Sequence, residues 1–325
     1  MEPDQNPGRL VLLTTTHRVA PGLLSWPAWQ ALRSADQVVC PDGGHPQLPY
    51  LREAGVTVEH AAPSGRELVD RAAGGRTVVY VVAWGETDAG VTGELARLAG
   101  SGRVPMPELE LLPGSCDLPG ARLLDLVQVM DRIRLECPWS STRTSEELAK
   151  YGVEEIYELL EAIEEGDREA LREELGDVLL QVVFHARIAE EDPQAPFSID
   201  DVAGTIVDKL IHRHPHIYGD TVAETPEEVR ANWIRLKGVE KRRESVTEGI
   251  PLGQPALALA AKLISRARQD PGIEPPVPAG DNYGDRLLAL AAETASAGVD
   301  PEAALRAAAR RYRDAIRTAE GVRQD

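Results

Sequence analysis

Apolar residues fall in short unbroken runs over the first third of the chain and at helical steps after it. The segments at 9–14 (RLVLLT), 36–40 (DQVVC), 57–60 (TVEH) and 77–83 (TVVYVVA) read as short strands. Stretches around 26–34 and 93–99 carry helical spacing, so the alternation predicts an α/β layer. After Pro113-Gly114 the apolar positions recur every three or four residues through 121–135, 145–165, 167–191, 199–212 and 226–245, which predicts an all-α helical bundle. Its breaks are Cys137-Pro138-Trp139, Gly166-Asp167 and the stretch from Asp192-Pro193 to Pro196. A Gly- and Pro-rich patch at 249–255 leads into a helix over 256–269, and 271–280 reads as a linker. An Ala-rich helical hairpin closes the chain, turning at Gly298 to Pro301 with Asp300 as an N-cap. Three regions result: α/β at 1–115, a helical domain at 121–246, and a helical C-terminal unit at 249–325.

A length of 325 residues suits about two domains with a real core. No stretch approaches the roughly 20 apolar residues of a membrane span. The opening MEPDQNPG lacks the charged and apolar regions of a signal peptide, so a cytoplasmic protein is expected. The three cysteines, Cys40, Cys116 and Cys137, lie far apart and lack metal-ligand spacing. A net charge of -18 argues against a general nucleic-acid binder. The surplus is local: residues 146–192 hold 16 acidic and 4 basic side chains, a net of -12 in 47 residues, interleaved with aliphatics at helical spacing.

Within that segment lie Glu154-Glu155-Ile156-Tyr157-Glu158 and then Glu174-Leu175-Gly176-Asp177, separated by the Gly166-Asp167 turn. Residues three or four apart share a helix face, so Glu154, Glu155 and Glu158 align, as do Glu174 and Asp177. Two helices joined by a short turn pack antiparallel, which lets the carboxylates converge. An oxygen-only donor set suits a hard cation such as Mg²⁺ or Mn²⁺. The bland reading is a solvated acidic face balanced by Lys150, Arg168 and Arg172, and for a lone EExxE it is the better one. The paired ExxD shifts the balance, as do the flanking apolar residues Leu159, Leu160 and Ile163 on one helix and Val178, Leu179 and Val182 on the other, which place the acids near the seam. A di-iron bundle would need Glu-x-x-His pairs, and the sequence contains none.

Downstream, Lys209 and Arg213 are four residues apart, as are Trp233 and Lys237, so each pair shares a face. Cations opposite an acidic metal site suit a polyphosphate, with Trp233 either stacking on a base or packing beneath it. Local charge balance and core packing are the competing readings. His212, His214 and His216 mimic a metal cluster, but Pro215 interrupts them, which favours a helix end. Neither GxxxxGK[ST] nor GxGxxG occurs, so a P-loop or dinucleotide-binding enzyme is unsupported.

From about Leu123 to Glu244 these motifs resemble the MazG family of all-α nucleotide pyrophosphohydrolases. The likeness includes CPW at 137–139, EELGDVLLQVVFHARIAEE at 173–191 and DKL followed by RHPH within 208–216. The resemblance implies Mg²⁺-dependent hydrolysis of nucleoside triphosphates to NMP and pyrophosphate, by a homodimer or higher oligomer, as a nucleotide-pool cleaning activity. It implies Glu155, Glu158, Glu174 and Asp177 as metal ligands with Glu154 beside them. Lys209, Arg213, Trp233 and Lys237 match positions that contact the nucleotide. Ser140, Ser145, Gly152 and Ile156 depart from the usual pattern, and Gly152 inside a helix should cost about 1 kcal/mol relative to Ala.

Residues 249–268 and 284–320 resemble the two ends of a second MazG unit that lacks EExxE and has Asn282-Tyr283-Gly284-Asp285 in place of ExxD. That suggests a shrunken, metal-free unit kept for packing or dimerisation. Residues 9–115 faintly resemble the first half of a tetrapyrrole methylase domain, with methylation unexpected because the second half is missing. The rival to an enzyme is a catalytically idle nucleotide-sensing or interaction module, suggested by the degenerate flanks.

Overall fold

The computed structural model describes residues 7–82, 89–241, 244–268, 272 and 280–321. The chain forms two compact units, Met1–Gly204 and Thr205–Asp325. The first opens with β1 (Arg9–Thr14), α1 (Trp26–Ser34), β2 (Gln37–Cys40), α2 (Leu48–Glu53) and β3 (Val58–His60). It continues through α3 (Gly65–Ala72), β4 (Thr77–Val81), α4 (Ala89–Ser101) and β5 (Glu108–Pro113). The five strands form one parallel sheet in the order β3-β2-β4-β1-β5.

The unbroken apolar runs follow from burial of the sheet on both faces. Along β1, Val11 and Leu13 pack with Ala28, Leu32, Leu48 and Leu51 of α1 and α2. Leu10 and Leu12 point the other way, onto Leu68 and Val69 of α3 and Leu95 of α4. Three elements go beyond the sequence reading: β5, α2 and α3. In β5, Glu108 and Glu110 interrupt the apolar run, which an edge strand bonded on one side tolerates, and Glu110 accepts a hydrogen bond from Arg9 at 2.9 Å. The α3 helix is announced by a capping box in which the Ser64 side chain and Glu67 bond each other's backbone N–H. The expected strand over 77–83 ends at Val81, and Ala83 lies outside the described residues.

The helical part of this unit holds α5 (Arg122–Glu136), α6 (Ser145–Glu165) and α7 (Arg168–Ala189), with a 3₁₀ turn at Ser140–Thr142. Thr144 caps α6 through a capping box with Glu147, and Asp167 caps α7 by accepting from Glu169 N and Ala170 N. Between them Gly166 ends α6 at φ 71°. A Cβ there would meet nothing within 4 Å, so only the backbone conformation demands glycine. Gly166→Ala is expected to destabilise the protein by about 1 kcal/mol in denaturant titration; an unchanged midpoint would contradict a strained left-handed cap.

Met130 of α5, Leu148 of α6, and Val183 and Phe184 of α7 form the core of these three helices, with Leu179 and Leu180 packed against it. The sequence reading put Val182 and Ile163 at such a face. The structure corrects this: Val182 is 42% and Ile163 54% exposed, because Val183 takes the inward position on α7. Arg134 of α5 ties the helix ends together: its Nε and Nη2 donate to Glu191 at 2.9 and 2.7 Å, and Nη1 donates to the carbonyls of Ser140 and Arg143.

Next come α8 (Ile199–Arg213), α9 (Pro215–Tyr218) and α10 (Pro226–Lys241), then α11 (Ala256–Arg268), α12 (Tyr283–Ser296) and α13 (Pro301–Ala319). Helix α10 is described to Lys241, residues 242–243 are outside the described set, and residues 244 and 245 of the expected helix are not helical. The expected linker at 271–280 also lies outside it, apart from residues 272 and 280. The final turn forms as the sequence suggests, with Gly298 at φ 76° and Asp300 accepting from Glu302 N and Ala303 N. No helix among the described residues is long and apolar enough to cross a membrane.

Candidate active site

The antiparallel α6/α7 pair, closed by Gly166-Asp167, brings the acidic motifs together. Glu155, Glu158 and Glu174 each offer a carboxylate oxygen, and these oxygens lie within 4.8 Å of one another. Glu155, Glu174 and Asp177 are half-buried along the seam, whereas Glu154 and Glu158 are exposed. The structure thus gathers three of the five expected carboxylates into one cluster. Asp177 and Glu154 stand outside it but act on it electrostatically: both charges help raise the Glu155 carboxyl.

Two carboxyls register the crowding. Burial, then the charges of Asp177, Glu158 and Glu154, hold Glu155 above the ordinary carboxylate range. Glu174 is raised by burial and then by Glu158, Asp177, Glu173 and Glu155. The compensation expected of a solvated acidic face does not form: among the described residues no Lys or Arg pairs with Glu155, Glu158, Glu174 or Asp177. Lys150 instead sits over the Tyr151 ring, 4.8 Å from its centroid. Glu174 Oε2 is buried without a hydrogen-bond partner. Such an oxygen is costly unless a cation or donor reaches it.

In the second unit the cations are organised around Glu240 and Trp233. Arg213 is buried and donates through Nε and Nη2 to the Glu240 carboxylate at 3.2 and 2.5 Å. Its guanidinium lies 5.3 Å from the Trp233 ring centroid, and Lys237 Nζ lies 4.6 Å from the same centroid. Glu240 is held low first by the hydrogen bond from Arg213, then by burial working against it, and further by the charges of Arg213, His212 and Lys209. Sequence reasoning did not single out Glu240, which lies 27 residues from the arginine it bonds. The Trp233 ring therefore has two cations packed close to it. His214 and His216 flank the start of α9 with ring centroids 5.6 Å apart, and the described residues hold no metal-spaced group there.

The description "MazG nucleotide pyrophosphohydrolase domain" matches residues 143–218. The nucleoside triphosphate pyrophosphohydrolase of Mycolicibacterium smegmatis is 38% identical over 278 residues, 85% of this chain and 78% of its own length. The chain belongs to the MazG family. A second relative, the nucleoside triphosphate pyrophosphohydrolase/pyrophosphatase MazG of Thermotoga maritima, is 37% identical over 214 residues, 58% of this chain and 81% of its own. An uncharacterized 26.1 kDa protein of Streptomyces cacaoi is 67% identical over 242 residues, 74% of this chain and all of its own.

The MazG match spans all five carboxylates together with Lys209 and Arg213, and ends before Trp233 and Lys237. The raised carboxyls give a pH signature. A folded pKa above the ordinary 4.5 means the folded state holds more protons than the unfolded one between those two values. The stabilisation is complete below about 4.5 and is lost as pH rises through the raised folded values. In chelator, the melting temperature of wild type should therefore fall relative to that of Glu155→Gln as pH is raised from 4.5 to neutrality. A constant difference would remove Glu155 from the repulsive cluster.

Proposed function

We propose that the chain hydrolyses nucleoside triphosphates to nucleoside monophosphate and pyrophosphate with Mg²⁺, or Mn²⁺ in its place, at the α6/α7 seam. The observation that carries this reading is the convergence of Glu155, Glu158 and Glu174 within 4.8 Å, with no Lys or Arg among the described residues paired to them. The donor set would fit the ion: the three carboxylates offer only oxygen, Glu174 Oε2 is buried without a partner, and the charge of Asp177 acts on both Glu155 and Glu174. Oxygens gathered this closely would hold a hard cation.

When bound, the metal supplies charge neutralisation on the phosphates and activation of a water. Glu155, Glu158, Glu174 and Asp177 would hold and orient it. Glu154 stands beside the cluster and is exposed. Lys209, Arg213 and Lys237 neutralise the polyphosphate, with Glu240 and Trp233 fixing the direction of the two cations they touch. The names of the M. smegmatis and T. maritima relatives support the same chemistry.

Incubation with NTPs and Mg²⁺ and identification of the products tests the reading. Pyrophosphate and NMP, both lost in Glu155→Gln and Asp177→Asn, are expected. No turnover of any NTP would favour the idle nucleotide-sensing module, and orthophosphate would indicate other phosphate chemistry.

The same reading extends to assembly. Val153, Ile156 and Leu175 flank the carboxylates and are 56, 44 and 51% exposed, which supports a homodimer or higher oligomer, to be checked by sedimentation. We read 249–325 as a metal-free second unit. The Asp285 carboxylate accepts from Asn282 Nδ2 at 2.6 Å while Asn282 caps α12, so the acid serves the helix end. A metal bound near Asp285 would overturn that. We read the N-terminal sheet as a truncated methylase-like half without transfer activity, and S-adenosylmethionine binding in calorimetry would contradict it.

A further inference from the structure

A cleft of about 850 Å³ lies along the α6/α7 seam, a size typical of small-molecule sites. It is walled by the first turns of α6, the second half of α7, the loop after α7 and the start of α8. Gly152 and Gln181 face each other there: a Cβ on Gly152 would stand 3.8 Å from Cγ and Oε1 of Gln181. That is ordinary contact, so a larger side chain at 152 would occupy the space beside the amide. Gln181 Oε1 is buried and has no hydrogen-bond partner. A buried acceptor left unmet is unfavourable until a donor reaches it.

Both residues stand about one helical turn from the carboxylates, roughly 4.5 to 6 Å along the axis. Gln181 follows Asp177 by four on α7, and Gly152 precedes Glu155 by three on α6. The cleft is therefore the continuation of the metal seam. Its charged lining holds Glu146, Glu191 and Asp192 beside Arg134 and Arg143, and both arginines are already bonded, Arg134 to Glu191 and Arg143 to Glu147. A phosphate is disfavoured in such surroundings. A neutral planar ring is suited to them, because the remaining wall is largely apolar and includes Phe197, 47% exposed. The other phenylalanine, Phe184, is in the core, so Phe197 is free to present a ring face.

We propose that this cleft is the nucleobase subsite, with Phe197 stacking on the base and Gln181 Oε1 accepting from an exocyclic amino group, as on adenine or cytosine. Gly152 keeps the space open, which makes Gly152 and Gln181 specificity-determining residues. The inference rests on the pyrophosphohydrolase reading for its orientation, but it is tested by binding rather than turnover. AMP, CMP and UMP are titrated calorimetrically into wild type, Gln181→Leu and Gly152→Leu, with folding of each checked by thermal melting.

Wild type is expected to bind AMP and CMP about tenfold more tightly than UMP, a difference of the size one specific base contact gives. In Gln181→Leu the three should come within twofold of one another, and in Gly152→Leu all three should weaken at least tenfold. Leucine at 152 improves helix propensity, so a loss there is not a folding defect. Equal binding of the three by wild type, no binding, or an unchanged preference in Gln181→Leu would overturn the subsite. If NTPs are hydrolysed and the preference is absent, the subsite falls and the activity stands. With the preference present and no hydrolysis, the reverse holds.

Discussion

Glu174→Gln should lower kcat/KM for NTPs on the order of a thousandfold, the scale seen when a preorganised charge-stabilising group is removed. The same substitution should raise the melting temperature of the metal-free protein. The two effects share one cause. Glu174 is half-buried, its carboxyl is raised by burial and by Glu158, Asp177, Glu173 and Glu155, and its Oε2 has no partner among the described residues. Glutamine keeps the shape, removes one of the clustered negative charges, and leaves a neutral oxygen that is a poorer ligand for a hard cation. Repulsion falls in the empty site while metal affinity falls with it, a trade of function against stability often found where a site is held together by its ligand. If these acids were only a solvated face, Glu174→Gln would change neither property. Activity within tenfold of wild type at saturating Mg²⁺ would remove Glu174 from the site. A lower melting temperature in chelator would show that the carboxylate is compensated by a group the cluster geometry does not include.

Much of this arrangement is legible in the sequence because it depends on local periodicity. The runs LVLL in β1 and VVYV in β4 are apolar on both faces, as a sandwiched parallel strand requires, and the helical spacing from 121 onward carries through to α5, α6 and α7. The strand β5 is not legible by pattern, since Glu108 and Glu110 belong to an edge whose outer side has no strand neighbour among the described residues. Helix α2 is six residues long with a proline in its first turn, too short to show a period. Helix α3 had a readable signal in Ser64 and Glu67, the capping box spacing. At the site, spacing singles out five acids, of which the structure gathers Glu155, Glu158 and Glu174, but it does not rank them. That Glu154 faces solvent while Glu155 enters the seam depends on the rotation of α6 against α7, a tertiary quantity. Arg213 is visible as a cation, while its bond to Glu240 is set by the packing of α10 on the end of α8. The cleft at Gly152 and Gln181 needs the loop after α7 in place, and no local pattern encodes that.

The seam itself depends on a small core, and Leu148→Ala is expected to destabilise the protein by about 2 to 5 kcal/mol, the range for a buried leucine truncated to alanine. Leu148 is 2% exposed and packs with Met130 of α5 and with Val183 and Phe184 of α7. It is one of two residues of α6 that are fully buried, the other being Ala162, so little else can take up the space it leaves. Against a total stability on the order of 5 to 15 kcal/mol this is a large fraction. Denaturant titration should show a lower midpoint at constant slope, because the change removes contacts without altering the surface exposed on unfolding. Leu118→Ala is the matched control: Leu118 is 80% exposed, and its truncation should stay within about 0.5 kcal/mol. The functional consequence follows from position. Leu148 lies two turns before Glu155 on α6 and fixes that helix against the one carrying Glu174, so loosening it widens the spread of carboxylate positions rather than removing a ligand. The Mg²⁺ concentration giving half-maximal activity should therefore rise while kcat at saturating metal stays close to wild type. A loss of kcat that excess Mg²⁺ does not restore would mean that Leu148 shapes more than the metal cluster, and a stability change under about 1 kcal/mol would show that α6 is held by other contacts.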